Sequence, residues 1–315
     1  MLGLPGVALT EPEPVGNEVP QDVFQLPTGT ACHQGAHLDA TQNLVPSLSP
    51  GANGPMEERF ALRQQFFPRA AKISGTLASL VLDGDVNYFH WLVETLPRWR
   101  FLEDRKESLS GIYVCQKHLF HREAMRLLGV KPEMIRDSSA IPYLRADEIL
   151  VPRYVQRMEP WILPWVRDHF SVRPDTLAIE SKKRRIYISR RAASSRGIAN
   201  EAELLLVLEE FGFGTVVLEE LPWPEQIALF QRAQAVIGAH GAGLTNLVFC
   251  GGSAFVLELT PIGLLGPFYE EIGTALQLDY HTLRCVSAGT GDLHAQPMTV
   301  DVGKVRDVLK SRLGQ

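Results

Sequence analysis

The chain carries only four cysteines, Cys32, Cys115, Cys250 and Cys285, and no two of them form a C-x-x-C pair. That scatter excludes a zinc knuckle or a thioredoxin-type redox motif and fits reduced thiols in a cytosol. Excess positive charge is also missing. Thirty-one Lys and Arg against 36 Asp and Glu leave a formal net charge of −5. Nucleic acid and anionic membrane are therefore not expected as general partners, and any attraction for phosphate has to be local. The N-terminal MLGLPGVALTEPEPVG has no basic segment and is broken by proline, so it does not read as a signal peptide. The one long stretch without Asp, Glu, Lys or Arg, residues 233–257, contains five glycines with Gln234, His240 and Asn246. It reads as a buried strand–turn–helix–strand, not a membrane span, and the chain is expected to be cytoplasmic, with peripheral contact at the inner face of the membrane left open.

Several signatures of common chemistries are absent too. There is no G-x-G-x-x-G for a dinucleotide, no G-x-S-x-G nucleophile elbow and no H-E-x-x-H metal helix. No third metal ligand accompanies any His–carboxylate pair, so no metal site is expected.

What is present is organised. Residues 1–55 hold eight of the 21 prolines and no sustained period, and are expected to form an irregular extension. Strands are expected at 76–83, 111–116 and 147–152, and helices at 87–103, broken by Pro97, and at 121–129. EPWILPWVRDHF (159–170) begins the passage to a second unit with regular alternation: strands at 184–190, 215–220, 235–239, 254–260 and 279–285, with helices between them. Alternation at this spacing predicts βαβ units and a parallel sheet. The expected domains are the extension (1–55), an N-terminal α/β domain (56–174), a C-terminal Rossmann-like domain (175–299) and a helix (300–315) packing back on the N-terminal domain.

Three stretches carry chemistry. GAHGAGLTN (238–246) lies where a strand hands over to a helix and spends more glycine than a turn requires. Gly241 and Gly243 would let backbone approach an anion, and a side chain at Gly241 would block that approach and the backbone angle it needs. A tight turn around a buried His is the plain alternative. In KKRRIYISRRAASSRGIANE (182–201) the first basic residues form a solvated run, but Arg190, Arg191 and Arg196 follow the strand's carboxyl end, where the guanidinium fork suits a diphosphate. Ser194, Ser195 and the amides near Asn200, a candidate helix N-cap, could add donors. In NYFHWLVE (87–94) His90 and Glu94 stand at i, i+4 with Asn87 a turn earlier, an arrangement for a general base or for a capped structural helix. Glu258, at the end of a buried strand, needs a specific partner, either a ribose diol or an arginine.

Together NYFHWLVETLPR, YISRRAASSRGIANE and GAHGAGLTNLVF followed by VLEL resemble glycosyltransferase family 61. The resemblance implies an α/β GT-B fold, two Rossmann-like domains facing a cleft. It also implies an inverting transfer from a nucleotide-sugar, UDP-linked by expectation, to a saccharide or glycoconjugate hydroxyl, as in surface polysaccharide synthesis. On that pattern Arg190, Arg191, Ser194, Arg196 and Asn200, with His240, Gly241, Ala242, Gly243, Asn246 and Glu258, take the donor. Asn87 and Trp91 lie on the acceptor side, and Glu94 or His90 is the base, although Glu94 stands where the family often has Asp. No cofactor beyond the donor and no divalent ion is implied. A nucleotide-sugar-binding or assembly subunit without catalysis is the alternative, and an esterase built on HGAG is disfavoured by the missing elbow.

Overall fold

The structure, a computed structural model, describes residues 22–49, 69–172, 184–193, 195–263, 266–287, 289, 292–293 and 295–314. Ser194, Lys182, Lys183 and most of the proline-rich N-terminus lie outside the described residues. Two compact units divide the chain, Met1–Ile162 and Leu163–Gln315.

The first unit is built on a sheet of seven strands: β1 (Val23–Pro27), β2 (Thr30–Cys32), β3 (Ala36–Leu38), β4 (Ala71–Ser79), β5 (Gly111–Val114), β6 (Ile135–Asp137) and β7 (Tyr143–Pro152). Strands run in the order β3-β2-β7-β4-β5-β6, with β1 also pairing β7. β7, β4, β5 and β6 are parallel, and β1 and β2 lie antiparallel to β7. Between β4 and β7 the chain order reverses, which in open α/β sheets marks the ligand crevice beyond the strands' carboxyl ends.

Part of the expected irregular extension is therefore sheet. Leu26, Ala31, Val45 and Leu48 are buried in the first unit's core beside Leu77, Tyr113 and Ile149. β2 and β3 have three residues each and β1 ends on Pro27, too short for a two-residue period to show.

Helix α1 (Tyr88–His90) runs into a π turn (Trp91–Thr95) and a 3-10 stretch (Leu96–Phe101). The expected break at Pro97 thus falls just inside a change of helical type, where a missing N–H costs nothing. Arg98 is fully buried and acts as a plug for the sheet end. Its guanidinium donates to the carbonyls of Leu80 (3.0 Å), Pro152 (2.6 Å) and Arg153 (3.1 Å), joining the chain beyond β4 to the end of β7. Burial lowers its pKa to about 9, with Asp85 opposing the shift. Helix α2 (Leu119–Leu127) supplies His121, whose Nε2 donates to the Asp85 carbonyl (3.0 Å) and whose Nδ1 accepts from the His118 amide (3.0 Å). Those roles require the neutral ring, and burial lowers its pKa to about 4.

Helix α3 (Ile162–Phe170) leads into the second unit. There β8 (Arg185–Ile188), β9 (Gly214–Val216), β10 (Ala235–Ala239), β11 (Phe255–Pro261), β12 (Asp279–Ser287) and β13 (Met298–Thr299) form the order β13-β12-β11-β10-β8-β9. All neighbours are parallel except β13 on β12. Numbered within the unit this is 2-1-3-4-5-6, the doubly wound order 2-1-3-4-5 with β13 added at the edge, reversing between β8 and β10. β10 and β11 are buried at every residue, the mark of central strands covered on both faces. Helices α4 (Glu201–Glu210), α5 (Trp223–Arg232) and α6 (Phe268–Ala275) fall between strands as the alternation predicts.

The C-terminal helix α7 (Val302–Leu313), expected to pack back on the N-terminal domain, buries its apolar face within the second unit. Its buried Val305 and Leu309 join the second unit's own core with Leu204 and Leu208 of α4. An amphipathic pattern defines which face is buried but not against which partner. Asn200, expected to cap α4, makes no cap hydrogen bond. Its amide instead clamps both backbone groups of Val300 at 2.9 Å, tying the α7 entry to the α4 entry.

Replacing Arg98 by Lys tests the plug. An ammonium cannot bond carbonyls from both chain segments at once, so Arg98→Lys should cost roughly 2–4 kcal/mol. Urea denaturation reads this directly. An unchanged midpoint would mean that the guanidinium bonds contribute nothing to stability.

Candidate functional site

The two loops suspected of anion binding are the ones that leave β8 and β10, the strands flanking the second unit's switch point. Ser189, at the end of β8, and Tyr187 within it both donate to Glu201 at the start of α4 (2.7 and 2.8 Å), which fixes the root of the first loop. Within that loop the Arg190 Nε donates to the Ser195 carbonyl (2.9 Å). Arg196 has φ +52, a left-handed conformation that costs a non-glycine residue ~1 kcal/mol. Its Nε–His240 carbonyl bond (2.7 Å) ties the first loop to the second. Strain held in this way is common where a side chain must be aimed at a ligand.

Gly241 is needed for a reason other than its backbone angle. Its φ is 171, extended backbone that any residue adopts, so the expected angular constraint is absent. A Cβ there would instead collide with the Arg190 Nη1. Glycine at 241 leaves the space that the guanidinium occupies. Burial lowers the Arg190 pKa and nearby Arg196 lowers it further, so two guanidinium groups are held close together against their mutual repulsion. Arg190 makes no ion pair with any described carboxylate. Two guanidinium groups gathered in this way are suited to an anion.

The second loop continues as a 3-10 helix (Ala242–Phe249). Its first internal bond is Leu244 N–H to the Gly241 carbonyl (2.9 Å), so the amides of Gly241, Ala242 and Gly243 precede the ladder, an arrangement able to receive an anion. Asn246 is fully buried and its amide bonds Gln226 and the Gly243 carbonyl, which makes it a brace for the turn.

Among the described residues Glu258 bonds no arginine. One carboxylate oxygen takes the His240 Nδ1 at 2.6 Å and the other accepts from Tyr280 at 2.8 Å. One oxygen thus orients His240, whose Nε2 has no partner among the described residues, while Tyr280 braces the other. Tyr280 was not legible as part of the site, because only the β11–β12 pairing brings it beside Glu258.

A parallel device stands in the first unit. His90 Nδ1 meets Glu94 Oε2 at 2.8 Å, and the Glu94 side chain is 4% exposed against 18% for His90. The buried carboxylate thus orients the ring, and the more accessible Nε2 is the group able to take a proton. Asn87 caps α1 by accepting from the Phe89 amide (2.9 Å). Tyr154, just past β7, is half-exposed, and the Glu94 charge adds to burial in raising its pKa. It was missed in the sequence because an isolated Tyr in a loop has no period.

Three expected site residues are placed elsewhere. Arg191 lies at the surface and is held by both Glu220 oxygens (3.0 and 3.1 Å). Asn200 is spent on Val300, as described. Trp91 is fully buried, edge-on to His121 with ring centroids 4.6 Å apart, so it backs the helix and does not line a surface. Among the described residues no three His, Cys, Asp or Glu side chains cluster to hold a metal ion, and no helix is long and apolar enough to cross a membrane. All four cysteines are free and buried, and burial raises Cys32, Cys115 and Cys250 to about 12, which disfavours thiolate chemistry.

Comparison with known proteins agrees with this geometry. The family model Glycosyltransferase 61 matches residues 88–256, from α1 to the start of β11. The chain is 40% identical over 83 residues to an EGF domain-specific O-linked N-acetylglucosamine transferase of Drosophila melanogaster, covering 25% of this chain and 16% of the relative. It is 28% identical over 95 residues to a beta-1,2-xylosyltransferase of Arabidopsis thaliana, covering 30% and 17%. The match to an alpha-1,3-arabinosyltransferase of Oryza sativa subsp. japonica is longer, 24% over 258 residues, covering 78% and 37%. The matches thus span well under half the length of these relatives. With more than half of its residues inside the family model, the chain belongs to glycosyltransferase family 61.

Proposed function

We propose that the protein is an inverting glycosyltransferase that moves a sugar from a nucleoside diphosphate, UDP being the first to test, to a saccharide or glycoconjugate hydroxyl. The observation that carries this proposal is the pair Arg190 and Arg196 at the β8/β10 switch point, crowded together beside a turn of free amides. The GT-B plan, one unit for the donor and the other for the acceptor, belongs to the same proposal and is supported by two separate sheets, each with a parallel set of strands and a reversal of strand order.

In this mechanism His90 Nε2 takes the proton of the acceptor hydroxyl while Glu94 stabilises the imidazolium that forms. The acceptor oxygen bonds to the anomeric carbon, and the bond from that carbon to the phosphate oxygen breaks with its electron pair leaving on the nucleoside diphosphate. Arg190, Arg196, the amides of residues 241–243 and His240 would stabilise the charge that accumulates there. Fixed cations fill the role a divalent ion would have, so transfer is expected without added metal. Four free cysteines support a reducing compartment, and surface polysaccharide synthesis in the cytoplasm is the setting we propose.

UDP should raise the melting temperature in the presence of a chelator, by the equivalent of about 2.7 kcal/mol at 100 times Kd. Arg190→Ala and Arg196→Ala should each weaken UDP by ~1.5–3 kcal/mol, while Arg191→Ala, a surface pair, changes little. No shift with any nucleotide, or an equal loss for Arg191→Ala, would end the proposal.

Gly241→Ala should fold normally, because the colliding atom is the far end of a flexible side chain, yet displace the Arg190 guanidinium. Its effect on UDP affinity should match that of Arg190→Ala, and the double variant should be no worse than either single one. Additive losses would show that the two residues act separately.

His90→Gln and Glu94→Gln should each leave UDP binding intact and lower transfer about 10²–10⁴-fold, with the double variant no slower than the His90 variant. Near wild-type rates in both would make this helix structural. Donor binding with no transfer in the wild type would favour the non-catalytic subunit instead.

A further inference from the structure

A second polar site lies at the opposite end of the first sheet, near the amino ends of β4 and β7. A cavity of about 340 Å³ is lined by Thr30, Leu38, Gln42, Arg69, Ala70, Lys72, Tyr143 and Arg145. Its floor follows directly from the strand register. Leu38 pairs with Thr30, Thr30 with Arg145 and Arg145 with Lys72, so these four side chains form one row on one face of β3, β2, β7 and β4. Tyr143 stands two residues before Arg145 and so shares that face.

The row sets Lys72 directly beside Arg145, and Arg69 adds a third cation at the rim. Like charges on neighbouring strands are destabilising when paired in this way. Among the described residues no carboxylate lines the cavity, and Arg69, Lys72 and Arg145 make no ion pair. Arg145 donates to a neutral carbonyl, that of Ala40, at 3.3 Å. Asp39, in the loop that supplies Gln42, directs its carboxylate to Thr41 and Asn43. In a chain of net charge −5, three uncompensated cations around one concavity form a local reversal of sign.

We propose that this cavity binds an oxyanion, a carboxylate or phosphate, carried by an extended glycan. The three cations would hold the anion by charge-assisted bonds, and Gln42, whose amide donates to the buried Thr30 hydroxyl (3.3 Å), would add a polar contact to a sugar hydroxyl, with Leu38 and Tyr143 buried beneath. The inference deepens the acceptor side of the function proposed above and rests on that reading for the choice of a glycan as carrier. The site lies away from His90 and Glu94, which follow the carboxyl end of β4, so its role would be to hold a distant part of an acidic chain.

The test is fluorescence anisotropy of a labelled oligogalacturonate with the full chain, with unlabelled oligogalacturonate, inorganic phosphate and a neutral malto-oligosaccharide as competitors. The acidic probe should bind and weaken as salt is raised, and the neutral sugar should not compete. The double variant Lys72→Gln/Arg145→Gln should weaken binding roughly tenfold or more, while Lys310→Gln, on exposed α7, leaves it unchanged. Thermal stabilisation by inorganic phosphate, lost in the same double variant, without binding of the uronate would identify a phosphate ester as the carried group. Absence of binding in both arms, equal competition by the neutral sugar, or an unaffected double variant would overturn the inference. Thermal stabilisation by UDP, measured on the same variants, shows that they are folded. If UDP binds and the acidic probes do not, the inference fails alone. If the acidic probes bind and UDP does not, the transfer mechanism fails and the oxyanion site stands.

Discussion

The Arg190 guanidinium occupies the space that any side chain at position 241 would need, and the second unit's candidate site is arranged around that exclusion. Because position 241 is bare, Arg190 can lie along the turn after β10 while bonded to Ser195 in the loop after β8. Arg196 accepts a left-handed backbone to reach the His240 carbonyl, so the two loops are held as one surface. The repulsion between the guanidinium groups is stored in the folded protein and would be relieved by an anion. This is preorganisation in the electrostatic sense, since the positive charges are gathered before any ligand arrives.

Each unit also uses a buried glutamate to aim a histidine through Nδ1. Glu258 holds His240 and is itself braced by Tyr280, whereas Glu94 holds His90 within one turn of helix. Burying a carboxylate is costly unless its oxygens are bonded, and in both places the histidine supplies one of those bonds. The consequence is the same in each unit: a ring in a fixed orientation with Nε2 turned away from its partner. The two rings differ in surroundings, which is why we give them different roles. His240 stands beside arginines and free amides, suited to a departing phosphate, and His90 beside a half-exposed tyrosine, suited to an acceptor.

The first unit achieves its geometry with a different buried charge. Arg98 saturates carbonyls where β4 and β7 end, at the reversal in strand order, and so closes the sheet end over which the His90 helix is laid. Asp85 and His121 fix the chain between β4 and that helix through backbone bonds. The helix is consequently short and changes type at Trp91 and again at Leu96, yet it keeps His90 and Glu94 in contact.

Local sequence determined a good deal of this molecule. Apolar runs such as AVIGA and FVLELT, separated by helical periods, are enough to define a parallel sheet, because central strands must be apolar on both faces. The surplus of glycine after β10 and the arginines after β8 were legible for a similar reason: each is a local excess over what a turn demands. Partners separated in the chain were not legible. That Glu258 meets Tyr280, that Asn200 clamps Val300, that Arg191 turns to Glu220, and that α7 packs on α4 all depend on which strands and helices lie side by side. The same holds for the row of Thr30, Arg145 and Lys72, which no sequence window contains. Composition and period act over a few residues, so the sequence alone determined the longer alternating elements and the candidate loops. Register and burial act between elements far apart in the chain, and only the tertiary structure decided which side chains those loops and sheet faces bring together.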